Sequence, residues 1–267
     1  MPTMGSLFAG IGGFDLGFTR AGFDVAWQVE IDPWCRKVLA KNFPKAERYA
    51  DIRECGAHNL SAVDVVCGGF PCQDISNAGL RAGIEGERSG LWSQMWRIIG
   101  ELRPQFVLVE NVAALLGRGM GRVLGDLAEI GYDAEWEVVS AADIGAPHLR
   151  ERVWIVAYSD SQLRGRNNLR DYAQRCKFRD EPLCESEGLG AKVSNSVRLR
   201  KLQPQGRVSD EWERTRYGDW WSSEPALDRV AYGIPDGVDR LRGLGNAVVP
   251  QIPELYARKI REVLDTE

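Results

Sequence analysis

A chain of 267 residues, 44% of them hydrophobic and 27% charged, is long enough for one sizeable core with room for a smaller insert. No apolar run nears the roughly 20 residues that a bilayer crossing needs, and MPTMGSLFAG has no basic stretch ahead of an apolar one, so no membrane partner and a cytoplasmic location are expected. A net charge of −4 excludes a uniformly basic nucleic-acid coat; residues 160–217 hold 13 Lys and Arg against 9 Asp and Glu, so +4 there leaves −8 elsewhere, a modest segregation.

From the N-terminus, short apolar runs alternate with helix-like segments. GSLF (5–8), FDVAWQV (23–29), ERYA (47–50), VDVVC (63–67), FVLV (106–109), AEWEVV (134–139) and VWIVA (153–157) are predicted strands. LWSQMWRIIGEL (91–102) and MGRVLGDLAEI (120–130) space apolar residues by three and four, as helices lying on a sheet do. The pattern predicts a doubly wound α/β domain over residues 1–158. Residues 159–238 lose the apolar period and read as an irregular insert, in which Trp212, Tyr217, Trp220 and Trp221 fit a small core better than a base-reading surface. Residues 239–267 then resume the first domain, with Ile252, Leu255, Tyr256, Ile260, Val263 and Leu264 on one helical face.

In an open parallel sheet, ligands bind outside the carboxyl ends of the strands. GSLF runs into AGIGG, whose Gly10, Gly12 and Gly13 permit a tight turn and close approach to a ligand. FDVAWQV ends at Glu30, ERYA at Asp51, VDVVC leads through GGFP to Cys72, and FVLV ends at Glu110 and Asn111. Each residue has an ordinary structural use: surface carboxylates for Glu30, Asp51 and Glu110, a small buried side chain for Cys72. Five successive strands delivering such residues to one edge is a stronger signal than any of them alone. The six cysteines form no CxxC pair and only His58 and His148 could assist them, so no metal centre is expected.

Taken in order, these segments resemble the DNA (cytosine-5)-methyltransferase family. FAGIGG (8–13), EID (30–32) and DI (51–52) look like its cofactor motifs, GFPCQ (69–73) like its Pro-Cys motif, and ENV (110–112) like its Glu-Asn-Val motif. PHLRER (147–152) is similar to its Arg-x-Arg motif, with His148 where the family usually has Gln, and RLRGLGNAVVPQ (240–251) to its closing Gly-Asn motif. The resemblance implies a Rossmann-like methyltransferase sheet with a small target-recognition insert, S-adenosylmethionine as cofactor and double-stranded DNA as substrate. A monomer is expected, and a companion restriction endonuclease stays an open alternative to a solitary enzyme. By the same resemblance Cys72 attacks carbon 6 of a flipped cytosine, Pro71 aims it, Glu110 donates a proton at ring nitrogen 3, Arg152 holds oxygen 2, and Asn111 and Arg150 support them. Phe8, Gly10, Gly12, Gly13, Glu30, Ile31, Asp51, Ile52, Asn246 and Val248 then surround the cofactor. ISNAGLRAGIEGERSG (75–90) looks like a loop that closes over DNA, with Gln73, Arg81 and Arg88 as candidate DNA contacts.

Other readings stay open on the residues: a tRNA methyltransferase of the same family, given the short insert; a nicotinamide oxidoreductase built on GIGG and Glu30; and a non-catalytic DNA-binding relative. The oxidoreductase leaves Cys72, Glu110 and Arg152 without a use.

Overall fold

A computed structural model of the protein describes residues 1–71, 90–146, 148–159 and 243–265. Of the expected insert it describes only Ser159, so the aromatic group at 212–221 and the charge excess at 160–217 lie outside the described residues. Seven strands form one sheet in the order β3-β2-β1-β4-β5-β7-β6. They are β1 (Thr3–Leu7), β2 (Asp24–Val29), β3 (Glu47–Tyr49), β4 (Val65–Gly68), β5 (Phe106–Val112), β6 (Tyr132–Val139) and β7 (Arg152–Ser159). The helices are α1 (Gly13–Arg20), α2 (Pro33–Asn42), α3 (Leu91–Leu102), α4 (Leu115–Arg118), α5 (Met120–Glu129) and α6 (Gln251–Leu264). Every predicted strand is present, most displaced by only one or two residues.

The first five strands are mutually parallel, as the alternating pattern predicts. The far edge departs from it: β7 runs antiparallel to both β5 and β6. Between β6 and β7 the described residues form a 3₁₀ turn, Ala141–Ile144, closed by a capping box between Ser140 and Asp143. A parallel return needs a crossover, usually helical, so the chain doubles back instead.

Apolar residues cover both faces of the sheet. On one, Trp92, Met95, Ile98 and Ile99 of α3 and Val123 and Leu127 of α5 pack on Val66, Val107, Val109, Val153 and Ile155. On the other, Phe14 and Phe18 of α1 and Ile252, Tyr256, Ala257 and Ile260 of α6 pack on Met4, Val65, Leu108, Trp154 and Val156. Each large apolar side chain so buried contributes on the order of 2 kcal/mol. Helix α6 therefore packs on the same sheet face as α1 across a long sequence gap, and its approach to α1 is close. A Cβ on Gly17 would stand 2.6 Å from the Pro250 carbonyl oxygen.

One carboxylate lies inside this core. Asp15 of α1 is fully buried, accepting from Gln28 Nε2 at 2.8 Å and Ser6 Oγ at 3.3 Å. Burial pushes its carboxyl from 3.8 up to about 6. A carboxyl raised on folding contributes stability that is complete below pH about 4 and lost as pH rises through about 6. Asp15→Asn is therefore expected to match the native chain near pH 4 and to exceed its stability at pH 8 by up to about 3 kcal/mol, read by urea unfolding at both pH values. A native chain at least as stable as the variant at pH 8 contradicts this.

Candidate active site

The loop between β1 and α1 has left-handed backbone at Phe8 (φ 54°), Gly10 (φ 56°) and Gly12 (φ 91°). Such backbone is easy for glycine and strained for Phe8, which must be held there. Part of the hold comes from Glu30: its carboxylate accepts from the Gly10 amide at 2.7 Å and from the Asp32 amide at 2.8 Å. Two of its lone-pair positions stay free for a ligand's hydroxyls. Asp32 has a structural task, capping α2 through the Trp34 and Cys35 amides at 2.8 and 3.2 Å, with Pro33 as the first helical residue.

The other expected cofactor residues divide by burial. Ile31 is 67% exposed, an apolar side chain standing free beside Glu30. Asp51 is half-buried and accepts from the Arg53 amide at 2.9 Å, capping the short 3₁₀ turn Ile52–Glu54. Ile52 points into the core, and its carbonyl accepts from Arg97 at 3.2 Å, so its side chain is packing. The returning chain at 243–250 reaches this edge. A Cβ on Gly13 would meet the Val248 carbonyl oxygen at 2.7 Å, and one on Gly243 would meet the Trp34 ring at 2.7 Å. Asn246 is exposed there.

At the neighbouring strand ends, Glu110 and Asn111 prove to be the continuation of β5. Glu110 Oε1 and Arg152 Nε form an ion pair at 3.0 Å, with side chains 13% and 23% exposed. In the antiparallel ladder Glu110 faces Trp154 and Val112 faces Arg152, so the pair sits diagonally on one face. Burial pushes the Glu110 carboxyl up, and the two arginines 152 and 150 only partly oppose it. Asn111, buried, donates to the Phe70 carbonyl at 3.2 Å. A Cβ on Gly69 would stand 2.9 Å from Glu110 Oε2. The Gly69-Phe70-Pro71 segment is thus seated against Glu110, and half-buried Pro71 is the last described residue before Cys72. Cys72, Gln73, Arg81 and Arg88 lie outside the described residues. Cys67, by contrast, is fully buried, and burial holds its thiol well above its ordinary range.

Arg150 has backbone φ 36° and its guanidinium donates to two carbonyls of the returning chain, Gly245 at 3.1 Å and Ala247 at 2.6 Å. It joins the Arg152 segment to the stretch that carries Asn246. His148 is exposed. Sequence reasoning missed Ser6, Asp15 and Gln28 beneath the glycine loop. The available signal was Gln28, a polar residue inside the apolar run FDVAWQV of a strand covered on both faces.

The sheet order with its reversed seventh strand, the glycine loop braced by a strand-end carboxylate, and a half-buried Glu–Arg pair on the same edge define a Rossmann-like methyltransferase domain. The chain belongs to the C-5 cytosine-specific DNA methylase family, whose model matches residues 3–211. It is 39% identical over 160 residues to Type II methyltransferase M2.BsuMI of Bacillus subtilis, covering 57% of this chain and 41% of that one. To Type II methyltransferase M.NgoBI of Neisseria gonorrhoeae it is 32% identical over 214 residues, 79% of this chain and 62% of that one. The chain thus spans about half the length of the curated relatives it matches. Among solved structures, a prophage-encoded E. coli protein described as a DNA modification methyltransferase superposes with TM-score 0.52 at 29% identity, covering 61% of this chain and 48% of that one. The Dnmt2 methyltransferase of S. pombe shares the fold, with TM-score 0.52 and 20% identity over 60% of this chain and 51% of that one.

Proposed function

We propose that this chain transfers a methyl group from S-adenosylmethionine to carbon 5 of a cytosine flipped out of duplex DNA. The observation that carries the reading is the Glu110–Arg152 pair, half-buried beside the segment that leads into Cys72, on the edge where the glycine loop and Glu30 also lie. The residues present suit the cofactor. Among the described residues nothing stands within 4 Å of a Cβ placed on Gly10, Glu30 retains acceptor capacity for ribose hydroxyls, and exposed Ile31 offers an apolar face to adenine. Phe8, Gly12, Gly13, Asp51, Asn246 and Val248 complete that pocket in this reading, while Ile52 supports it from the core. When bound, the sulfonium supplies an electrophilic methyl group.

Carbon 5 of cytosine is a weak nucleophile until something adds at carbon 6. A Cys72 thiolate adding there makes carbon 5 enamine-like, and sulfur leaves readily afterwards. Glu110, whose carboxyl burial raises above its ordinary range, donates at ring nitrogen 3 as charge builds. Arg152, freed from its pairing with Glu110, holds oxygen 2. Loss of the carbon 5 proton and of Cys72 restores the aromatic ring. A stacked cytosine exposes neither face to such an attack, hence the flipping. Residues 159–238 serve target recognition in this reading, Gln73, Arg81 and Arg88 contact the DNA, and residues 239–267 close the catalytic domain. The chain acts as a cytoplasmic monomer, and the Type II naming of the relatives supports a companion restriction endonuclease.

Incubation with methyl-labelled S-adenosylmethionine, duplex DNA and tRNA in parallel tests this. Label is expected in DNA as 5-methylcytosine. Label confined to tRNA, or found on the exocyclic nitrogen, refutes it.

A further inference from the structure

We infer that Asp15, sealed beneath the glycine loop, is a positioning residue for the cofactor: it fixes the ends of β1 and β2 from which the loop and Glu30 project. The inference rests on reading this edge as the S-adenosylmethionine site.

The geometry is a closed circuit. Asp15 Oδ2 accepts from Ser6 Oγ at 3.3 Å, and four residues onward the Gly10 amide donates to Glu30 Oε2 at 2.7 Å. Two residues back from Glu30, Gln28 Nε2 returns to Asp15 Oδ1 at 2.8 Å. Inside the circuit the Ala9 amide donates to the Val29 carbonyl at 3.1 Å, and Phe8 keeps its left-handed backbone. Every member lies within a few bonds of a residue that would touch the cofactor, yet Asp15 itself is out of reach of any ligand.

Packing alone does not account for a carboxylate at this position. It is fully buried and has no cationic partner among the described residues; the titratable group that faces it is the buried Cys67 thiol of β4. An apolar side chain would avoid the desolvation that raises its pKa. What a carboxylate adds is two acceptors at fixed separation, one for each strand. Among the described residues Gln28 Oε1 is buried without a partner, and the hydrogen bond that orients the Gln28 amide is the one to Asp15. A carboxyl-to-amide change keeps an oxygen acceptor for Gln28 Nε2 and turns its NH2 to Ser6 Oγ, a hydroxyl that accepts as well as donates, so both strands stay tied, whereas truncation releases both at once.

The test compares the native chain with Asp15→Ala, Asp15→Asn and Ser6→Ala, measuring calorimetric Kd for S-adenosylhomocysteine, and KM for S-adenosylmethionine and kcat on duplex DNA. Asp15→Ala is expected to raise Kd and KM about tenfold with kcat at saturating cofactor within about twofold. Asp15→Asn is expected to restore both to within about twofold of the native values, and Ser6→Ala to fall between. Native Kd and KM in Asp15→Ala, or a fall in kcat with KM unchanged, overturns the inference. Should Asp15→Ala fail to fold, Ser6→Ala decides, and an unaltered Kd there overturns it equally. A native chain that binds no cofactor defeats the site reading along with the inference; native binding combined with indifferent variants defeats the inference alone.

Discussion

Cys72→Ser is expected to lower methyl transfer at least about 10⁴-fold while leaving S-adenosylhomocysteine affinity within about twofold of native. A serine hydroxyl is a far poorer nucleophile at neutral pH than a thiol. Cys67, five residues earlier in the chain, lies fully buried in β4 with its thiol held protonated, so it does not take over. The approach to Cys72 is fixed on both sides. Asn111 binds the Phe70 carbonyl from β5, and Gly69 lies so close to Glu110 that any side chain there would displace the carboxylate. Duplex DNA containing 5-fluorocytosine provides the second readout, because fluorine at carbon 5 cannot leave as the proton does. The native chain is expected to form a conjugate stable to denaturing electrophoresis, and Cys72→Ser none. A serine variant retaining more than about 1% of native turnover excludes Cys72 as the attacking group.

Glu110→Gln is expected to reduce kcat about 10²- to 10³-fold with a smaller change in KM for DNA. The glutamine amide can still donate a hydrogen bond to a ring nitrogen but cannot give up a proton. The pH profile separates this role from a structural one. Burial raises the Glu110 carboxyl on folding, so the protonated donor persists above its usual range and is lost as pH rises through that raised value. The native kcat is expected to fall on this alkaline limb, and the glutamine variant to lack it. Arg152→Ala removes the cation 3.0 Å away and should push the Glu110 carboxyl higher still, moving the limb to higher pH as kcat falls. A lysine at 152 restores charge but not the planar fork, so only partial recovery is expected. A glutamine variant with native kcat and an unchanged pH profile removes Glu110 from the chemistry.

Much of this site was legible before any coordinates. The apolar runs mark the central strands because strands covered on both faces cannot hide their composition, while the half-exposed edge strands β3 and β6 show as shorter or alternating runs; the spacing of Trp92, Met95, Ile98 and Ile99 marks the buried face of α3. Strand-end residues followed, since chain order alone puts Gly10, Glu30 and Glu110 just past apolar runs. Within the cofactor-like motifs, the Asp32 carboxylate caps α2 and the Ile52 side chain packs in the core. A short motif does not say which of its members face the ligand. Asp15 escaped notice because its surroundings read as the first turn of an ordinary amphipathic helix, where an acidic residue is commonplace.

The sequence by itself determined the α/β class, the residues gathered along the carboxyl edge of β1 to β5, and the chemistry those residue types permit, because apolar periodicity and strand-end position are local properties. The direction of β7 was decided only in three dimensions. Had it run parallel to β5, Arg152 at its start would lie at the opposite edge of the sheet from Glu110. Running antiparallel, it brings Arg152 to the diagonal of Glu110, and Arg150 to the carbonyls of a segment 95 or more residues away. The Asp15 circuit is of the same kind, joining β1, β2 and α1 through side chains. Such contacts depend on how elements are arranged in space, and no local pattern along the chain records that arrangement.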